Sequence, residues 1–230
     1  TFQYIAGQWK AVSPQGDFKL WLKNESKKRV EIDKIHPSHG INMLGVHIAP
    51  DGNNKDQVKA LRLKVETWVN NVCSSRANME EVWTALHRTI PFSVCYPLPA
   101  VTLKPEECRY IMAPITKYGL PLTGIASTTP TAVKAGSIEM GGLGVIDPYV
   151  FMGTSQIENF VSNTWRKSPT GMLQEITLED FALEMGVSTP WTTEKLQQGM
   201  VYATTHSWIR QVVQFTTSNA ISIDYQLQHE

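Results

Sequence analysis

Along the first fifty residues, apolar and polar positions alternate in short runs. Phe18, Leu20 and Leu22 alternate with Lys19, Trp21 and Lys23, and Val30 and Ile32 alternate with Glu31 and Asp33. A period of two marks half-buried strands. Phe2, Tyr4 and Ile5 lead into a break at Gly7-Gln8, and together the runs predict a small antiparallel meander. Ile41 to Ala49 is its expected last strand, apolar enough to be covered on both faces. Gly45 then lies inside a strand, where glycine marks a bulge or a place where another backbone comes close. If it serves such a close approach, valine should be tolerated there structurally, since β-branched residues suit strands, whereas a glycine kept for internal packing would make valine overpack.

At Lys55 the period lengthens. Val58, Leu61, Val65, Trp68 and Val72 recur at spacings of three and four and form one stripe of a helix over Lys55 to Val72. At about 100° per residue, Lys55, Lys59 and Arg62 fall together on one flank of that stripe. Asn78 with Glu81 predicts a capping box opening a second helix, with Met79, Val82, Trp83, Leu86 and Ile90 inward. Pro91, Pro97 and Pro99 bound a short apolar stretch. Pro105 suits the first turn of a third helix through Cys108, Ile111 and Met112, which Pro114 kinks or ends.

Gly119 to Gly153 is rich in Gly, Pro, Ser and Thr and reads as loops, with a short helix near Ala132 and a short strand near Val145. Helices resume over Thr154 to Trp165, with Ile157, Phe160 and Val161 inward, and from Thr177 to a stop at Gly186. Trp191 to Thr216 is expected to be helical with a possible break at Gly199, its later face carrying Trp208, Ile209, Val212 and Val213. Ile221, Ile223, Tyr225 and Leu227 alternate with polar residues as a last strand would. The fold class expected is α+β: a small antiparallel sheet followed by a mainly helical region.

Composition narrows the classes of function. The 230 residues are 42% hydrophobic and 18% charged, enough to bury a core. Twenty-one basic residues balance twenty-one acidic ones, so a basic binding surface has to be local. Cys73, Cys95 and Cys108 are odd in number and form no CxxC pair, which argues for a reducing, intracellular compartment. No run approaches the roughly 18 to 20 apolar residues that cross a bilayer, so no membrane partner is expected. A start at Thr1 within a strand pattern suggests a piece of a longer protein.

Enzyme signatures are sparse. No Gly-x-Ser-x-Gly elbow, no phosphate loop ending in Gly-Lys-Ser/Thr and no His-Glu-x-x-His occurs. His36 and His39 have the spacing of two metal ligands but lack a nearby Cys or third His, which favours solvated loop residues. Asp51 to Asp56 fails as a calcium loop, having no glycine at its sixth position and Arg62 where a bidentate Glu is required. Gly141-Gly142-Leu143-Gly144 reads as a turn before a strand rather than a phosphate cradle. Glu106 and Glu107 read as a charged first helical turn. These residues assign no catalytic or metal site.

A set of short motifs, in order, resembles retrotransposon reverse transcriptases in the stretch after their catalytic aspartates. They are Leu44-Gly45-Val46, Ala49-Pro50-Asp51-Gly52-Asn53-Asn54-Lys55, Tyr96-Pro97-Leu98-Pro99 through Leu103, Glu106-Glu107-Cys108, Ile111-Met112-Ala113-Pro114, Gly119-Leu120-Pro121 and Gly142-Leu143-Gly144-Val145. Trp208-Ile209 through Ile221-Ser222-Ile223 resembles the segment these polyproteins carry before a ribonuclease H domain. The resemblance covers most of the chain and implies three regions: the end of a palm with a primer-grip hairpin (1–50), thumb helices (51–118) and a connection region (119–230).

In the family, the Leu-Gly strand belongs to the hairpin that grips the primer 3′ end, and the next helix lies against the template-primer duplex. The resemblance therefore implies an RNA-DNA or DNA duplex as partner, contacted by Leu44, Gly45, Asn53, Asn54, Lys55, Lys59 and Arg62, the Asn53-Asn54 turn presenting a helix N-terminus. Read from the residues alone, Gly45 packs under a helix and the basic flank is solvated. The family binds magnesium through an earlier aspartate and a Tyr-x-Asp-Asp turn. Neither occurs here, and no two aspartates are adjacent. The chain itself is expected to hold no cofactor and to be inactive alone, with magnesium, the catalytic palm and the ribonuclease H domain belonging to the parent protein. The alternative is a degenerate retroelement remnant acting as a protein-interaction or structural module.

Overall fold

Short strands pair locally where turns bring them together, and the first fifty residues do so three times. In the computed structural model, which describes residues 2–6, 8–12, 19, 21–23, 28–31, 35–187 and 207–223, β1 (Phe2–Ile5) pairs with β2 (Gln8–Ala11). β3 (Trp21–Lys23) pairs with β4 (Arg29–Glu31), and β5 (Ile41–Met43) with β6 (Val46–Ile48). All three pairs are antiparallel, but they are separate two-stranded ladders rather than one meander. Trp21, Leu22, Val30 and Ile41 are exposed, so among the described side chains these strands share no buried face that would draw them into one sheet. Phe18, Leu20, Ile32 and Asp33, which carry part of the alternation, lie outside the described residues, as does Gly7. The chain divides into two compact units, Thr1–Gln57 and Val58–Glu230. With 61% helix and its small antiparallel ladders near the N-terminus, the fold is α+β.

The helices follow from their caps and stripes. α1 (Lys55–Ser74) buries Gln57, Leu61, Val65 and Val69 at strict four-residue spacing, with Trp68 and Val72 half-buried beside them. α2 (Met79–Cys95) opens on the expected capping box: the Glu81 N–H donates to Asn78 Oδ1 at 3.0 Å and the Asn78 N–H to Glu81 Oε2 at 2.8 Å. Val82, Leu86 and Ile90 are buried as expected, whereas Met79 is exposed. Pro91 lies inside α2 rather than bounding it. α3 (Pro105–Pro114) begins at Pro105 and passes at Pro114 into a π-helical stretch, Ile115–Gly119, and a last turn α4 (Leu120–Leu122). Proline has no N–H to give to the fourth carbonyl before it, so the helix widens there instead of stopping.

α5 (Thr131–Ala135) is the short helix expected near Ala132. The residues around Val145 form no strand, because the Leu143 and Val145 N–H groups bond back to the carbonyls of Val133 and Lys134 at 2.8 Å. α6 (Pro148–Trp165) starts earlier than its apolar pattern suggests, since Asp147 Oδ1 accepts from the Tyr149 and Val150 N–H groups and Pro148 fills the first helical position. Phe160 is buried, Ile157 half-buried and Val161 exposed. α7 (Pro169–Met185) likewise starts earlier, at Ser168-Pro169, and ends at Gly186 with φ +67°. α8 (Trp208–Ser218) is capped by Ser207.

Phe160, Leu178, Phe181, Met185, Ile209 and Val213 make a continuous core among α6, α7 and α8. Gly153 is the fitted piece of this packing: a Cβ built there lies 2.4 Å from the Phe215 ring, so only glycine admits that ring against α6. Residues 188–206 and 224–230 lie outside the described residues, and with them the expected helix from Trp191, its break at Gly199 and most of the expected last strand; Ile221–Ile223 is not strand.

All three cysteines are free; Cys73 is exposed and Cys95 and Cys108 are buried. Burial pushes the Cys95 thiol up to about 12. Cys108 is likewise pushed up to about 12, by burial and then by the negative charges of Asp147, Glu107 and Glu106. Both thiols therefore stay protonated at pH 8, and the thiolate is the reactive species. Titration of the native chain with an aromatic disulfide reagent at pH 8 is expected to label Cys73 quickly and the other two only after denaturation; fast labelling of all three contradicts this burial.

Candidate nucleic-acid interface

Leu44 and Gly45 do not lie inside a strand. They are the two-residue turn between β5 and β6, with Met43 opposite Val46, Asn42 opposite His47 and Ile41 opposite Ile48. Both turn residues have positive φ, +53° at Leu44 and +86° at Gly45. That is the requirement of a type I′ turn, the kind whose twist matches a two-residue hairpin. Asn42 buttresses it by accepting the Gly45 N–H at 2.9 Å. The expectation of one strand covered on both faces fails for a physical reason: the apolar run folds back at Leu44-Gly45, and Ile41, Met43 and Ile48 are exposed. Leu44 is 90% exposed at the tip.

The hairpin is tied to the start of α1 by two side chains. In an antiparallel pair, opposed residues alternate between bonded and non-bonded, so His47 aims its N–H away from β5. Gln57 Oε1 accepts it at 2.7 Å, and Gln57 is 1% exposed. Asp56 Oδ2 accepts the Gly40 N–H at 2.6 Å, at the entry to β5. The sequence assigned neither residue this role, Asp56 being weighed only as part of a calcium loop. The signal was a glutamine placed in line with Leu61, Val65 and Val69, where burial obliges it to find a backbone partner.

The Asn53-Asn54 turn is largely occupied with itself. Asn53 Nδ2 donates to the Ser38 carbonyl at 2.9 Å and to Asp51 Oδ1, and Asn53 Oδ1 accepts the Lys55 N–H at 3.1 Å. Asn53 thus holds the loop and caps α1, leaving its amide no donor to spare for a phosphate. Asn54 is half-buried. Lys55 and Lys59 are exposed on α1.

Arg62 is committed elsewhere. Its Nε donates to Glu66 Oε1 at 2.6 Å, its Nη1 donates to the Tyr110 carbonyl, and its guanidinium stacks 4.6 Å from the centre of the Tyr110 ring. Pro114, four residues after Tyr110, has no N–H to give that carbonyl, and Arg62 supplies the missing donor. Of the basic flank, Lys55 and Lys59 therefore remain as exposed cations, while Arg62 joins α1 to α3.

Other candidates carry little chemistry. His36 is half-buried with Nδ1 2.6 Å from Ser38 Oγ, and His39 is exposed in the same turn. The Gly141, Gly142 and Gly144 N–H groups are spent on the carbonyls of Ile138, Ser137 and Gly136, so this loop does not cradle a phosphate. A cleft of about 530 Å³ is lined by Cys108, Arg109, Met112, Lys134, Asp147 and Tyr149, among others. In this cleft burial holds the Cys108 thiol protonated, and the Asp147 carboxylate caps α6. Among the described residues no three His, Cys, Asp or Glu side chains group as metal ligands.

The turn geometry sets an expectation for Gly45→Val. A β-branched residue at φ +86° is strained, and such strain costs of order 1–3 kcal/mol. Hydrogen exchange of the β5–β6 ladder amides is expected to accelerate in Gly45→Val and to change far less in Gly45→Asn, since Asn tolerates the left-handed region. Equal exchange in the two variants contradicts the turn assignment. No protein-family model, curated protein or solved structure matches this chain.

Proposed function

We propose that this chain is the non-catalytic, template-primer-handling part of a retroelement reverse transcriptase, with β5–β6 as a primer-grip-like hairpin and α1 as the first thumb-like helix. One observation carries the reading: a strained turn holds a leucine in open solvent. A left-handed conformation is unfavourable for leucine, and exposure at 90% returns no burial energy to offset it. The hairpin's tie to α1 through Asp56 and Gln57 holds that turn in place. Lys55 and Lys59, four residues apart on α1, lie within about 40° of each other around the helix and would meet successive phosphates. Gly45, beside Leu44 in the turn, adds no side chain where a nucleic-acid backbone would approach.

The partners on this reading are an RNA-DNA or DNA duplex and the catalytic palm and ribonuclease H domains of the parent chain. The exposed Tyr4, Trp21, Leu22 and Val30 of the first unit suit a piece that packs against more palm. Magnesium and the catalytic carboxylates would belong to that palm, and the chain alone would extend no primer. Three free cysteines, one of them exposed, support an intracellular setting. No helix among the described residues is long and apolar enough to cross a membrane.

A second reading, a retroelement remnant serving as a protein-interaction module, is favoured by α7. Leu173, Ile176 and Leu183 are exposed along one side of that helix, opposite the face carrying Leu178 and Phe181.

The test is the salt dependence of duplex binding. Each neutralised phosphate contributes a slope of roughly 0.9 in log affinity against log salt for a duplex of B-DNA charge density. The Lys55→Gln, Lys59→Gln double variant is expected to flatten the slope by about 1.8. Arg62→Gln should leave the slope unchanged and lower the melting temperature, because Arg62 serves the Tyr110 carbonyl. An unchanged slope in the double variant would remove α1 from the interface and favour the remnant reading.

A further inference from the structure

The second half of α2 carries an exposed stripe that the duplex reading does not use. Arg88, Phe92 and Tyr96 recur every four residues, and Phe92 is 81% exposed and Tyr96 65% exposed. The intervening exposed or half-buried positions are Thr89, Pro91 and Ser93; the two hydroxyls bond to the carbonyls of Ala85 and Thr89 in the preceding turn, and the half-buried Pro91 is the one aliphatic residue among them. No Asp or Glu occurs in the sequence between Glu81 and Glu106. Among the described residues Arg88 takes part in no ion pair. Two solvent-facing aromatic rings beside an unneutralised arginine, on a helix segment without acid, make a surface for a partner with flat π-faces and negative charge.

We propose that Arg88, Phe92 and Tyr96 form a stacking platform for single-stranded nucleic acid. The inference extends the nucleic-acid-handling reading to a second surface and rests on that reading only for its biological setting. Spacing selects the single strand. Residues four apart on a helix rise about 6 Å, whereas stacked bases in a duplex strand are about 3.4 Å apart. Paired, stacked bases cannot offer their faces to both rings, and an unstacked strand can. The helix also orients the strand: its C-terminal end, at Tyr96, carries partial negative charge that disfavours phosphate. The phosphate therefore lies over Arg88, and bases lie on Phe92 and Tyr96. Base-on-aromatic stacking tolerates any sequence because every base has a π-face. An apolar protein partner would not need Arg88 and would accept an aliphatic residue in place of Phe92.

The test uses the full chain and a fluorescein-labelled oligothymidylate of about 15 nucleotides, within the span such platforms occupy, followed by anisotropy. Phe92→Ala and Tyr96→Ala are each expected to weaken binding roughly 5- to 150-fold, as loss of one stacked base does. Phe92→Trp should keep the affinity and Phe92→Leu should not. Arg88→Gln should reduce the salt slope by about 0.7, the value for one phosphate of a single strand. All of these side chains are exposed, so melting temperatures should stay near the parent value and verify folding. The Lys55→Gln, Lys59→Gln variant should keep its oligothymidylate affinity, so that failure of the duplex reading and failure of this one are separable. Absence of binding by the parent chain, or equal binding by Phe92→Ala or Phe92→Leu, overturns the proposal. Loss of self-association in sedimentation by Phe92→Ala, with oligonucleotide binding unchanged, would overturn it in favour of a contact between copies.

Discussion

Two hydrogen bonds from the first turn of α1, Asp56 to the Gly40 N–H and Gln57 to the His47 N–H, decide whether the hairpin that ends in Leu44-Gly45 has a fixed place at all. A two-stranded hairpin is marginal in water on its own. This one lacks an apolar seat, since most of its side chains face solvent. Backbone donors on its outer edge would otherwise face water or another chain. By accepting them, Asp56 and Gln57, which belong to the same compact unit as the hairpin, tie the ribbon to the segment that follows it. Asn53 closes the loop between hairpin and helix from the other side, bonding to Ser38 and to the Lys55 N–H. The same short segment thus makes the turn, the cap and the tether.

A comparable logic joins α1 to α3. Pro114 widens α3 into its π-helical stretch and leaves the Tyr110 carbonyl without its ordinary donor; Arg62 supplies that donor and lies over the Tyr110 ring. An arginine that reads on a helical wheel as part of a basic face is thereby removed from it. The electrostatic surface that remains is smaller and more specific than charge counting suggests. Of the flank of Lys55, Lys59 and Arg62 it leaves the two lysines, and on α2 Arg88 stands beside two exposed rings.

What the sequence made legible was local. Asn78 and Glu81 close a capping box within four residues, and Gly186 ends α7 through its own φ, so neither depends on distant chain. The stripe of Leu61 and Val65 was legible for the same reason. The hairpin was not, because Leu-Gly lacks the Asn-Gly signature of a type I′ turn and an unbroken apolar run imitates a strand. Arg62 was not, because its carbonyl partner lies 48 residues away and is vacant only by virtue of Pro114. The starts of α6 and α7 were missed where Pro148 and Pro169 take first-turn positions ahead of the apolar pattern. The short strand expected near Val145 does not form because the Leu143 and Val145 N–H groups cap α5 rather than joining a ladder.

Leu44 concentrates the proposal in one side chain, because turn chemistry and the proposed duplex contact would make opposite demands on it. Asn suits the first position of a type I′ turn better than leucine, so Leu44→Asn relieves strain of order 1 kcal/mol. If leucine is kept there to meet a duplex, the substitution stabilises the hairpin and weakens binding at once. Ladder amide exchange and RNA-DNA duplex affinity, measured on Leu44→Asn against the parent chain, separate the two demands. The expected result is slower exchange with reduced affinity; slower exchange with affinity unchanged or improved would contradict a nucleic-acid-facing turn.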